Sequence, residues 1–300
     1  MNVMKKLNNK GSITIILSIL FTALLGFTAY VVDIGMIYAE KTKLSNAVDS
    51  AVLAAALELP NGELKAINIA EEYLQKNNVD PSMASITIGI DNKSIQIDAI
   101  KNVEHLFAPI IGIYSKNLNV TSKAIIGSAK SVRGGIRPFA VEVFDYSYGN
   151  LITIKQEAGD GYNGNYGAIA LGGTGASVFE SNALYGYSGT ISVGDFIPTE
   201  TGNMAGAANA IKDYINSDSS TFYNYTRNSM RLWTVPLVAT LEPNGRGELL
   251  VIGFGMFYVE DIIQKSGKIE INARFVKHVA NASIDMNLAD TGVYGAKLVK

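Results

Sequence analysis

The chain of 300 residues contains no cysteine, which excludes disulfides, thiolate metal sites and cysteine nucleophiles together. It has two histidines, His105 and His278, too far apart in sequence to suggest a histidine-built zinc site. Charged residues make up 17%, well under the usual quarter, and the net charge is −2. With no basic excess, the electrostatic footprint of a nucleic-acid binder is missing. The mean hydropathy is nevertheless positive, at +0.17. That combination places part of the chain in lipid.

The lipid-compatible part is Ile13 to Val32, twenty residues without a charge. At 1.5 Å per residue a helix of this length spans the roughly 30 Å hydrocarbon core of a bilayer. A helix is required there because every backbone amide must be satisfied internally. Lys5, Lys6 and Lys10 precede the span and Asp33 follows it at once. The positive-inside bias then puts the N-terminus in the cytoplasm and the bulk of the chain outside. A cleaved signal peptide would have a shorter apolar core and a small-x-small cleavage site, whereas Phe27-Thr28-Ala29 opens on a bulky residue. The expected topology is therefore a single-pass, uncleaved anchor.

Helical spacing continues past the span through Ile34, Ile37, Tyr38, Leu44, Val48, Val52 and Leu59. Pro60, Asn61 and Gly62 provide the stop. Ile13 to Leu59 is thus expected to form one rod of about 70 Å. Its stretch from Ala51 to Ala56 is rich in small side chains, which allow close helix approach. Two readings stay open: an amphipathic helix lying on its own domain, or a stalk packed against partner stalks. In the second, Ala47, Ala51, Val52, Ala54 and Ala55 are the partner-contact residues.

Three ordered motifs carry a resemblance. Lys10-Gly11-Ser12 enters the span, and Val32-Asp33-Ile34-Gly35-Met36-Ile37-Tyr38 leaves it. Lys43-Leu44-Ser45-Asn46-Ala47-Val48-Asp49-Ser50-Ala51 then leads into an alanine-rich stalk. Residues 10–60 closely resemble the N-terminal region of TadG-like and TadE-like proteins of the tight-adherence (Flp pilus) assembly system. The resemblance implies a minor pilin-like or assembly component anchored in the membrane, with other TadE/TadG-like proteins as partners. Gly11, Asp33 and Gly35 mark membrane entry and exit in that pattern. One position departs from prepilin processing, which wants a glutamate five residues after the glycine and here meets Ile16. A static anchor fits that departure better than extraction into a filament.

Residues 61–130 read as a small α+β module. Leu64, Ile67, Ala70 and Leu74 have helical spacing, and Ile86–Ile90 and Ser94–Ala99 alternate with period two around an Asp91-Asn92-Lys93 hairpin loop. A short helix is expected from His105 to Ile113, with His105 a surface or capping residue, and a third strand from Leu118 to Ser128. Residues 130–138 read as a basic, solvated linker.

From 131 to 300 the pattern is β-rich, a sandwich or barrel. Strands are expected at 139–144, 151–156, 166–171, 190–193, 233–241, 249–258 and 268–276, with a helix at 204–215. The overall fold class is α+β: a transmembrane helix extended into a stalk, the small module, then the outer domain.

Nothing in this outer domain spells an enzyme. Gly172-Gly173-Thr174-Gly175 lacks a phosphate-contacting lysine and a following helical pattern, so it reads as a turn. Glu157, Asp160, Asp195 and Glu200 show no spacing that pairs them as a glycosidase needs. No catalytic residue and no cofactor is expected. Some TadG-like proteins carry a von Willebrand factor A domain, whose metal site opens with Asp-x-Ser-x-Ser. Asp145 and Ser147 match this pattern and Gly149 does not, and the strand expected after it replaces the required helix. A divalent-metal-dependent, adhesin-like binding module is accordingly the alternative function, with a cell-wall or surface ligand for the outer domain.

Overall fold

The computed structural model describes residues 10–143, 147–155, 167–200, 205–241, 247–265 and 268–299. Helix α1 runs from Lys10–Ala56 as one rod of 47 residues. Its span from Ile13 to Val32 is uncovered by the rest of the chain. Within it Ser18, Thr22 and Thr28 each donate their hydroxyl to the carbonyl four residues back, at 2.9 Å. Those side chains therefore carry no unsatisfied donor into lipid.

Beyond Asp33 the same helix becomes one-sided. Leu44, Ala47, Val48, Ala51, Val52 and Ala55 are buried at three- and four-residue spacing. Of the apolar face expected from the sequence, Ile34 and Tyr38 are instead exposed. Leu59–Asn61 forms a 3-10 turn with Pro60 in its first positions, which ends the rod. Helix α2, Glu63–Lys76, then folds back along α1 and buries Ala66, Ala70 and Leu74. Leu64, expected on that face, points to solvent because the buried row is 66-70-74.

Strands β1 (Ala84–Ile88), β2 (Ser94–Glu104) and β3 (Ser115–Arg133) form an antiparallel meander beside these helices. The Asp91-Asn92-Lys93 loop closes the first hairpin, with Asn92 left-handed at φ 54° and the Asp91 carboxylate accepting from the Lys93 amide at 3.0 Å. Ile95, Ile97 and Ala99 of β2 alternate inward onto α1.

The chain continues through β4 (Val141–Glu142), β5 (Leu151–Lys155), α3 (Ala176–Tyr185), β6 (Thr190–Ser192), β7 (Phe196–Pro198) and α4 (Ala205–Asn216). It closes with β8 (Leu232–Val238), β9 (Glu248–Lys265), β10 (Lys268–Val276), β11 (His278–Val279), β12 (Ala282–Asp285) and β13 (Val293–Val299). The first sheet has the order β1-β2-β3-β13-β11, with β12 and β6 pairing farther along β3. The second has the order β4-β8-β9-β10-β5, with β7 on β9. The C-terminal strand β13 thus returns to the meander, pairing Tyr294 with Ser128 through Val299 with Lys123.

Three apolar clusters hold these layers. One lies between α1, α2 and the first sheet, and another between the second sheet and α3 with α4. The third joins the sheets through Val132 and Val293 on one side and Val251, Phe254 and Val276 on the other. The architecture is α+β, built on open sheets and not a closed barrel.

Several local expectations are corrected. Residues 130–138 are not a solvated linker: β3 runs to Arg133, Ile136 is fully buried, and Arg137 is nearly so. The Arg137 guanidinium lies 5.7 Å over the Trp233 ring and donates to the Ala183 carbonyl at 2.9 Å. Burial pushes its pKa down to about 10. Of the strand expected at 166–171, the described residues 167–171 show only isolated bridges from Ala168 and Ile169. Helix α3 directly follows Gly172-Gly173-Thr174-Gly175, a run read as lacking one.

Candidate functional site

The site is built around Asp33, the first charged residue after the span. It is only 3% exposed. Its Oδ1 accepts the amide of Leu106 at 2.8 Å and that of Phe107 at 3.2 Å. Its Oδ2 accepts Phe107 at 3.1 Å and Ala108 at 2.7 Å. Three successive amides thus converge on one carboxylate, an anion-binding nest closed by a residue of the same chain.

The loop that supplies the nest is shaped by its own sequence. Pro109 sits early in a 3-10 turn, Ala108–Ile111, and Gly112 closes it in the left-handed region at φ 86°. The His105 amide donates to the Tyr114 carbonyl at 2.9 Å across the loop mouth. The helix expected from His105 to Ile113 is therefore one short turn. His105 is also not a surface residue, since its side chain is 10% exposed and its Nδ1 lies 3.9 Å from Asp33 Oδ2. That nitrogen has no hydrogen-bond partner among the described residues.

Farther up the rod, Lys101 and Lys43 each donate to Glu40 at 2.7 Å. The Lys101 hydrogen bond, helped by Lys43, pulls the Glu40 carboxyl down to about 2. At the distal end Glu58 is buried and meets Lys65 at 3.0 Å, Asn61 at 2.7 Å and Arg227 at 3.6 Å. Burial alone would raise the Glu58 carboxyl, but the Asn61 and Lys65 hydrogen bonds outweigh it and hold it below the usual range. Carboxylates therefore fasten α1 at its membrane exit, partway along and at its end.

The expected partner-contact residues are placed differently from the stalk reading. Ala47, Ala51, Val52 and Ala55 are covered by this chain's own α2 and first sheet. Their small size does permit close approach, but of elements of the same chain. A partner helix has no access to them in this fold. Ala54 alone of the five is partly exposed. Gly35 lies on the opposite, open face, where an added Cβ would touch nothing within 4 Å. Gly11 lies in the first turn of α1.

Residues 131–300 offer no metal centre among the described residues. Asp145 falls outside those residues, as do Glu157 and Asp160. Ser147 is exposed in a turn followed by strand β5, not by a helix. Asp195 accepts the Ser192 amide at 2.8 Å, and the buried Glu200 accepts the Gly175 amide at 3.1 Å. The N-terminus of α3, where a phosphate would bind, is thus already held by a carboxylate. A cleft of about 630 Å³ lies at the rod's end, beside Pro60 and Asn61, and is lined also by Tyr148, Phe222, Tyr223 and Arg227.

Residues 11–58 match the family model described as Tad, putative Flp pilus-assembly TadE/G-like. This segment is TadE/G-like. The match covers α1 from Gly11 onward, including Asp33 and Gly35, and ends at Glu58, just before the 3-10 turn. No curated protein and no solved structure matches the chain. Sequence reasoning singled out Asp33 as a marker of membrane exit. Its partners, 73 to 75 residues away, are backbone amides and leave no side-chain signature.

Proposed function

We propose that this chain is a membrane-anchored, non-enzymatic structural or assembly component of a Flp/Tad-type pilus apparatus, minor pilin-like in its build. The observation that carries the reading is the TadE/G-like match over residues 11–58, which falls on the rod α1. Two further features support it. The span from Ile13 to Val32 is long and apolar enough to cross a bilayer and is left bare by the rest of the chain. The carboxylates along the rod, Asp33, Glu40 and Glu58, are committed to backbone amides and ion pairs of this same chain. In this reading the N-terminus is cytoplasmic and the sheets stand outside the cell.

The partners are other TadE/G-like assembly proteins, met on the open face of α1 through the span, Ile34, Gly35 and Tyr38. A photo-crosslinking residue at Tyr38 is expected to capture such a protein in piliated cells, and one at the buried Val52 is not. Deleting the gene is expected to abolish or sharply reduce surface pili. Unchanged piliation in the deletion strain would overturn the proposal.

A further inference from the structure

We infer that the loop from Leu106 to Tyr114 is a second membrane contact, a wedge seated in the leaflet from which α1 emerges. The inference rests on the reading of Ile13–Val32 as a bilayer span. The loop exposes Leu106, Phe107, Ile110, Ile111, Ile113 and Tyr114 together, with Ile110 87% and Ile111 75% exposed. A cluster of six large apolar side chains on a loop this short is costly in water and marks an interaction surface.

Its position names the occupant. The backbone of Leu106, Phe107 and Ala108 is bonded to Asp33, the residue that immediately follows the span. The loop is therefore fixed at the height where the helix leaves the hydrocarbon, and it cannot rise away while those bonds hold. Strand β2 then runs from Glu104 to Ser94, about 35 Å at 3.3 Å per residue, carrying the opposite hairpin away from the loop. The bond from Lys101 to Glu40 shows that β2 climbs beside α1, in the direction away from the span. Lys116, exposed at the start of β3, adds a cation beside the apolar tip, the order found where chains sit at headgroups. Tyr114 supplies an aromatic ring at the same level.

Asp33 is explained by the same geometry. Three backbone amides turned toward lipid would each need a partner, and the carboxylate supplies all of them from within the protein. The two contacts, rod and wedge, restrict the tilt of the outer part relative to the bilayer.

The absence of cysteine makes the test direct. Full-length Ile110→Cys and Ile111→Cys variants carry a nitroxide label in liposomes of phosphatidylcholine and phosphatidylglycerol. Phe21→Cys, in the span, and Ile90→Cys, at the far hairpin, are the references. Power-saturation spectroscopy compares collision with oxygen, which concentrates in lipid, and with a water-soluble nickel chelate. Labels at 110 and 111 are expected to favour oxygen several-fold over the chelate, as the Phe21 label does, while the Ile90 label shows the reverse. If 110 and 111 follow Ile90 while Phe21 reads lipid, the wedge is refuted and the anchor stands. If Phe21 itself reads water, the anchor fails and the wedge with it.

Discussion

Arg227 donates to the carbonyl of Leu57 at 3.0 Å, a contact between residues 170 positions apart that ties the segment before β8 to the end of the rod. The same guanidinium donates to Val279 at 2.6 Å and faces Glu58. One side chain thereby joins α1, the segment before β8 and the start of the last strands.

Replacing Arg227 with Met strips two carbonyls and Glu58 of that partner. The expected loss is about 1–3 kcal/mol. Arg227→Lys recovers part of it, because a single ammonium lacks the fork that reaches both carbonyls. Thermal unfolding of the detergent-solubilised chain checks the order wild type, Lys, Met. Equal midpoints for all three would remove this latch from the account.

Asp33→Ala leaves the amides of Leu106, Phe107 and Ala108 without their acceptor. Hydrogen exchange at those three positions is expected to accelerate at least tenfold, while Ile95 and Ile97 in the core of β2 stay protected. Unchanged exchange at 106–108 would mean the carboxylate does not hold the loop.

His278 predicts a pH dependence. Burial, then the neighbouring Arg227 cation, pushes its pKa down to about 4 from an ordinary 6.5. Between those values the unfolded chain binds a proton that the folded chain refuses. Stability from this residue is therefore complete above pH 6.5 and is lost as pH falls from 6.5 through 4. The His278→Asn variant is expected to show a flatter profile across that window. A wild-type profile as flat as the variant's would contradict the neutral, half-buried imidazole.

Two substitutions on opposite faces of α1 separate folding from partner contact. Ala51→Leu overpacks a fully buried position against α2 and the sheet, at a cost of about 1–3 kcal/mol. Gly35→Ala meets no neighbour and removes a helix-interior glycine, so the isolated chain gains about 0.5–1 kcal/mol. Denaturant titration reads both. A destabilising Gly35→Ala would show that the open face is not open.

Much of the architecture follows from period and punctuation. The uncharged twenty-residue run, the three-four spacing after it and Pro60 specify α1 almost to its ends, and alternation at 94–99 specifies β2. What could not be read depends on contacts distant in sequence. Arg137 resembles a solvated linker residue until Trp233 and the Ala183 carbonyl come to meet it. Helix α3 begins on Gly175 and borrows Glu200 for its N-terminus, so no local cap announces it. The alanines of the stalk show the limit most clearly: small residues specify a close contact, but not whose backbone makes it. The three amides on Asp33 leave no trace in side-chain sequence.

The central claim is that α1 crosses the bilayer once and carries the sheets on the outer side. Single cysteines introduced into the cysteine-free chain at Asn9, before the span, and at the exposed Lys41, after it, measure this in intact cells with a membrane-impermeant maleimide. Lys41→Cys is expected to react at once, and Asn9→Cys only after the membrane is permeabilised. Reaction of Asn9→Cys in intact cells, or protection of Lys41→Cys, would contradict it.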